Sequence, residues 1–255
     1  MKELSLPMYF SFFCFRIMTI AVFTFLMVLG AVGSENPPAK QITDSLEMER
    51  LKTKYETHLK AKSLDSARLY LDSVHLIAKK SGMRLKIAEY HFNYSLIERA
   101  AGNMDAYIGS LEKSIPLFLR ENAWKRASMA HTAIGQEYAR QQKNKEALGH
   151  FTKSLSLRER DGDSLGMANN LINLGGLSYL TGNLADASDY FYRALRLADD
   201  MNNMNLKTLI LMNLSNVHLK QKNHIKSIEY LEQALVYRRA TGNRKGESDI
   251  LLNLG

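Results

Sequence analysis

The chain repeats itself every forty residues, and that period restricts it to architectures built by stacking one small unit. Shifted by forty, its columns align without a gap. The turn Thr181-Gly182-Asn183 falls on Ala101-Gly102-Asn103 and on Gln221-Lys222-Asn223. Just ahead of it, Leu174-Gly175 falls on Ile134-Gly135, on Leu214-Ser215 and on the final Leu254-Gly255. Behind it, Ala187 and Phe191 fall on Ala147 and Phe151, and on Ser227 and Leu231. A further column holds Ser114, Ser154, Ala194 and Ala234. The units run 44–83, 84–123, 124–163, 164–203 and 204–243, and a sixth begins at 244.

Each column has a physical reading. Gly, Ala and Ser recur where the two helices of a hairpin must approach closely, and Phe151, Phe191 and Leu231 fill the space between hairpins. The Gly-Asn or Lys-Asn turn is expected to end the first helix, because Gly and Asn tolerate the left-handed conformation. Between turns the apolar residues keep helical spacing, as in Leu171, Leu174 and Leu177, or Tyr190, Ala194 and Leu197. No segment alternates as a strand does. With 45% hydrophobic residues and four prolines, the composition is that of a globular, helix-rich chain. The expected fold is all-α, made of antiparallel helix hairpins.

These residues resemble the tetratricopeptide repeat family, whose pattern runs Leu-Gly-x-x-Tyr and then Ala-x-x-x-Phe. Here it appears as Ile134-Gly135-x-x-Tyr138 followed by Ala147-x-x-x-Phe151, and as Leu174-Gly175-x-x-Ser178 followed by Ala187-x-x-x-Phe191. Two departures stand out. The period is forty residues instead of about thirty-four, and the family's closing proline is missing. Both features are similar to a longer-helix variant found in bacterial signalling and peptide-sensing arrays. The resemblance covers about residues 44–255 and implies a right-handed α-solenoid that binds proteins or peptides in a concave groove.

The first 33 residues read as an export signal. Lys2 and Arg16 supply positive charge, Ile17 to Val32 is an uncharged run of sixteen, and Ala31 and Gly33 offer a cleavage point. As a helix, sixteen residues span about 24 Å, short of the roughly 30 Å hydrocarbon core. An uncleaved anchor is the alternative, in which Met8 to Phe15 also enters the bilayer. Either way the remainder is expected to cross the inner membrane and to be periplasmic, free or anchored. Residues 34–43 read as a polar linker. The start of a sixth repeat at 244–255 leaves an apolar edge and reads as a truncated unit, so that the array is expected to continue. A membrane-bound regulator with a C-terminal output is therefore the alternative to a scaffold.

The net charge of +8 would admit nucleic acid as a partner. Beyond residue 33, however, 32 basic side chains are interspersed with 25 acidic ones along the helices, as on solvated faces. No nucleic acid is expected.

The resemblance also places a ligand. In the family the first helices of the hairpins line the groove, and the residue before the Leu-Gly pair faces it. That column reads Asn93, Ala133, Asn173, Asn213 and Asn253. A carboxamide carries both a donor and an acceptor, so it can pair with the peptide groups of an extended chain whatever the side chains are. The next column reads Leu96, Gln136, Gly176 and Asn216, and one turn on it reads Arg99, Ala139, Tyr179 and Leu219, with Arg140 and Lys220 beside it. This mixed, weakly basic lining is expected to suit a peptide of acidic or apolar character.

Catalytic chemistry is not signalled. The one cysteine, Cys14, lies in the leader. The seven histidines form no His-Glu-x-x-His pair, and His91 and His131 are simply one repeat apart. No cofactor or metal is expected, and no enzyme activity.

Overall fold

A computed structural model describes residues 37–240, 242 and 244–254. The leader lies outside these residues. The described chain is helical from end to end, and none of its helices is long and apolar enough to cross a membrane. Among the described residues, those up to Glu47 and those from Met48 on belong to separate units.

The described part of the first unit is the N-terminal half of α1, Pro37–Lys60. The segment read as a linker, 34–43, is thus already helical from Pro37. Pro37 and Pro38 stand in the first turn, where a missing N–H costs nothing, and residues 40–43 carry no breaker. Ile42 and Leu46 lie exposed on it.

The second unit continues α1 and adds α2 (Leu64–Lys80), α3 (Arg84–Ala101), α4 (Met104–Arg120), α5 (Trp124–Arg140) and α6 (Asn144–Asp161). It goes on through α7 (Ser164–Leu180), α8 (Leu184–Asp200), α9 (Met204–Lys220), α10 (His224–Ala240) and α11 (Arg244–Leu254). Odd-numbered helices are the first of each hairpin, even-numbered ones the second. Each packs against its neighbours in sequence, and one buried cluster runs from Ala147 on α6 through α7 and α8 to Val217 on α9.

The turns keep a rhythm of twenty residues. Lys62, Gly82, Gly102, Asn122, Gln142, Gly162, Gly182, Asn202, Lys222 and Gly242 all have positive φ. The residue after each of these from Lys62 to Lys222 sends its N–H back five residues, as from Asn183 to the Ser178 carbonyl at 2.8 Å and from Lys143 to that of Tyr138 at 2.9 Å. That bond closes the end of the helix. The turn asparagines therefore have a different part from the one expected. Gly182 and Lys222 adopt the left-handed conformation, while Asn183, at φ −79°, stands at the start of the following helix. Asn223 does the same and accepts from the Lys226 N–H at 3.2 Å. At Lys62, Gln142 and Lys222 a side chain occupies the left-handed region at roughly 1–2 kcal/mol each, held there by the five-residue bond.

The small-residue columns are buried as their chemistry requires. Ala88, Ser128 and Ala168 are fully covered, and so are Ala147, Ala187, Ser154 and Ala194. One pair of columns is matched in size. A Cβ on Gly135 would meet the Phe151 ring at 2.8 Å, and one on Gly175 would meet Phe191 at 2.6 Å. In the fifth unit the glycine becomes Ser215 and the phenylalanine Leu231, and the Ser215 hydroxyl meets that of Ser227 at 2.8 Å.

Candidate functional site

Successive first helices come into backbone contact, α5 with α7 and α7 with α9. Among the described residues no two successive second helices approach to that extent. They meet through long side chains, as where the Tyr192 and Tyr230 hydroxyls lie 2.9 Å apart. From α5 to α9 the first helices thus lie nearer one another than the second helices do, and the face of those first helices that neither partner covers is termed the inner one.

All nine residues expected at the groove lie on first helices: Asn93 on α3, Gln136 and Arg140 on α5, Asn173 and Tyr179 on α7, Asn213, Asn216 and Lys220 on α9, and Asn253 on α11. The side chain of Asn253 is outside the described ones. Asn93, Asn173 and Asn213 are half-buried, while Gln136 and Asn216 are exposed. No described residue takes a hydrogen bond from the carboxamides of Asn173 or Asn213. Asn93 borders a small cleft of about 20 Å³, with Lys52, Lys86 and Tyr90, and its carbonyl accepts from the Tyr55 hydroxyl at 3.0 Å.

The two cations, both exposed, make contacts within the protein. Arg140 donates through both arms of its guanidinium to Glu137, at 2.7 and 3.0 Å. Those bonds, with one from Gln141, hold the buried Glu137 carboxyl below the usual carboxylate range against the opposing cost of burial. Lys220 crosses from one hairpin to the previous one. Its amine sits 4.6 Å from the centre of the Tyr179 ring and donates to the Tyr179 carbonyl at 3.1 Å. Of the expected groove residues, Tyr179 and Lys220 are thus brought into direct contact. The Arg140 charge is offset by Glu137, whereas Lys220 is exposed and faces no carboxylate among the described residues.

Three polar constellations escaped the sequence reading. Arg158, 9% exposed, reaches from α6 beneath α7, donating to Asp163 at 3.1 Å, to the Ser154 hydroxyl at 3.3 Å and to that of Thr132 at 3.4 Å. Asp163 also accepts from the Gly166 N–H at 3.0 Å, and a Cβ on Gly166 would collide with both Arg158 and Asp163. Asn170, fully buried, donates to the Phe151 carbonyl at 2.6 Å. His131 and His150 place their Nδ1 atoms 3.1 Å apart, one donating and the other accepting. Burial, with His150 and Lys153 beside it, pushes His131 down to about 4. Burial and Lys153 lower His150 as well. A signal for the first constellation was present: Arg158 and Gly166 recur as Arg238 and Gly246, two periods on. There too a Cβ on the glycine would meet the arginine, at 2.7 Å.

Helices packed in consecutive pairs and stacked pair on pair make this a right-handed α-solenoid. Tetratricopeptide repeat family models match residues 126–200 and 209–241. The chain is a tetratricopeptide repeat protein. No curated protein sequence matches it. Among solved structures it is similar to the apo form of RapI, with a TM-score of 0.72 at 15% identity over 90% of this chain and 61% of that one. Aspartyl phosphate phosphatase F from Bacillus subtilis gives a TM-score of 0.69 at 19% identity, over 83% of this chain and 55% of that one. A Rap protein complexed with competence and sporulation factor gives 0.60 at 14% identity, over 80% and 57%. The chain therefore spans little more than half the length of these structures, and at such identities the likeness is one of fold.

Proposed function

We propose that the chain is a binding scaffold that holds an extended polypeptide along the inner face of its first helices. One observation carries this reading. Asn173 and Asn213 occupy the same position on adjacent first helices, half-buried on that face, with carboxamides that bond to no described residue. A half-buried amide without a partner is costly unless a ligand or water completes it. The spacing also suits a backbone reader. Packed helices lie about 8–10 Å apart and an extended chain advances about 3.3 Å per residue, so one amide would meet roughly every third ligand residue. Ala133 interrupts the column, so Asn173 and Asn213 form the adjacent described pair. The Rap protein complexed with competence and sporulation factor has this fold, which supports the reading by analogy.

A peptide-display screen on the chain, run beside the Asn173→Ala, Asn213→Ala double variant, tests it. Extended peptides are expected to bind the parent and to lose about 1–3 kcal/mol on the variant. Equal binding to both proteins, or to neither, would sink the proposal.

A further inference from the structure

The inner face changes character along its length, and the change bears on what it takes. α7 runs for seventeen residues without one Asp, Glu, Lys or Arg. On α9 the charges are Lys207 and Lys220. Lys207 is 9% exposed and bonded to Asp199 at 2.7 Å, and Lys220 is held on Tyr179. Earlier first helices differ, with Lys86 on α3 and Lys125 and Arg126 on α5. An exposed helix face normally carries charge to keep it solvated. Here it carries leucines and amides. Leu165 and Leu180 on α7 are 47% and 74% exposed, Leu209 and Leu219 on α9 are 44% and 51% exposed, and the exposed amides Asn169 and Asn216 lie among them.

Gly176 widens this section. Its neighbour Gly175 is fixed by the Phe191 ring, but a Cβ on Gly176 would meet no atom within 4 Å. Packing does not demand glycine there, although glycine weakens a helix interior. Its effect is to leave a gap at the level of Asn216 on the next first helix.

Resting on the reading of this face as a polypeptide-binding surface, we infer that its α7–α9 section selects an uncharged extended segment bearing leucine-like side chains. The chemistry leaves little room for a charged one. An ammonium pressed against this section would lose water and find no opposite charge, and a carboxylate would reach only the Lys220 amine at the far end of α9, already engaged by Tyr179. A neutral segment loses nothing of that kind, pairs its peptide groups with the amides and lays its apolar side chains on the leucines.

The test is a panel of synthetic ten-residue peptides, matched in length, in which a leucine-containing neutral sequence is altered by single Asp or Lys replacements. Binding to the chain is measured by fluorescence anisotropy. The neutral peptide is expected to bind best, each charge to weaken binding about tenfold, and the affinity to stay nearly constant between about 50 and 500 mM NaCl. The Asn169→Lys, Asn216→Lys variant alters two exposed positions, so it should fold as the parent does, which circular dichroism would verify. It is expected to shift preference to the Asp-bearing peptides. If peptides bind but acidic or basic ones are preferred by the parent with strong salt dependence, the inference fails and the scaffold reading stands. An unchanged preference in the lysine variant places the ligand elsewhere and also overturns the inference. If no peptide binds, both readings fail.

Discussion

The Phe191 ring occupies the space that a side chain on Gly175 would need, its nearest atom only 2.6 Å from where a Cβ would lie. Glycine at this position is a packing requirement of the α7–α8 hairpin, while the adjacent Gly176 answers to no such demand. The two substitutions should therefore have opposite signs. Gly175→Ala is expected to destabilise by about 1–3 kcal/mol through overpacking. Gly176→Ala should stabilise by up to about 1 kcal/mol, the helix-interior difference between the two residues. Urea unfolding of the two variants checks both, and like signs would refute the assignment.

Acid should weaken the fold through its buried imidazoles. His131 is pushed down to about 4 chiefly by burial, and His75, His91, His150 and His218 are lowered for the same leading reason. Between a lowered folded value and the ordinary value near 6.5, the unfolded chain holds more protons than the folded one. Stability therefore rises with pH across that window and is lost as pH falls from about 6.5 toward 4. Unfolding midpoints at pH 7.5, 6 and 5 should decline in that order. His131→Asn should flatten the decline, and a variant with the parent's slope would count against this account.

Arg158 is the side chain whose loss should cost most among the polar ones. Its removal leaves the part-buried Asp163 without its cation, and takes one donor from the Ser154 and Thr132 hydroxyls, which keep each other. Arg158→Met is expected to cost about 3–5 kcal/mol, the range for breaking a buried pair from one side. Gly166→Ala should act in the same direction by driving the guanidinium from its seat. Thermal denaturation separates the outcomes, and a shift no larger than that of a surface variant would show the network to be dispensable.

The contact of Lys220 with Tyr179 can be measured as a coupling. In a double-mutant cycle of Lys220→Ala and Tyr179→Leu, the bond to the Tyr179 carbonyl survives the tyrosine change and cancels. What remains is the interaction of the amine with the ring, expected at about 0.5–1 kcal/mol for an exposed cation over an aromatic face. A coupling near zero would mean that the amine is held by the carbonyl alone.

The repeat was legible because its columns are tied to contacts that recur in every unit. Gly135 and Gly175 must be glycine for Phe151 and Phe191, and Ala147 and Ala187 must be small, so a shift of forty residues exposes them. The start of α1 was less legible, since Pro37 and Pro38 look like spacer residues unless they stand in a first turn. For the groove, the family resemblance was enough to put the asparagines on first helices. It did not reveal how Arg140 and Lys220 are engaged. The Arg140 pair with Glu137, three residues away on one helix, can be read from spacing. Lys220 and Tyr179 are one repeat and one residue apart, and their meeting depends on how the first helices lean together. The His131–His150 pair was hidden for a related reason, since it joins two helices through a pairing that does not recur from unit to unit, whereas Arg158 and Gly166 left a trace in their recurrence as Arg238 and Gly246.

The twenty-residue rhythm of left-handed turns has a consequence for how such a chain can change in length. Gain or loss of forty residues adds or removes one hairpin and leaves every remaining column facing its proper neighbour. Loss of a single residue within a helix turns everything beyond it by about 100° relative to what precedes it. That would carry Gly175 away from Phe191 and swing the asparagines off the inner face. The array behaves as a text with a fixed reading frame, in which whole sentences can be copied or cut but one dropped letter garbles the line.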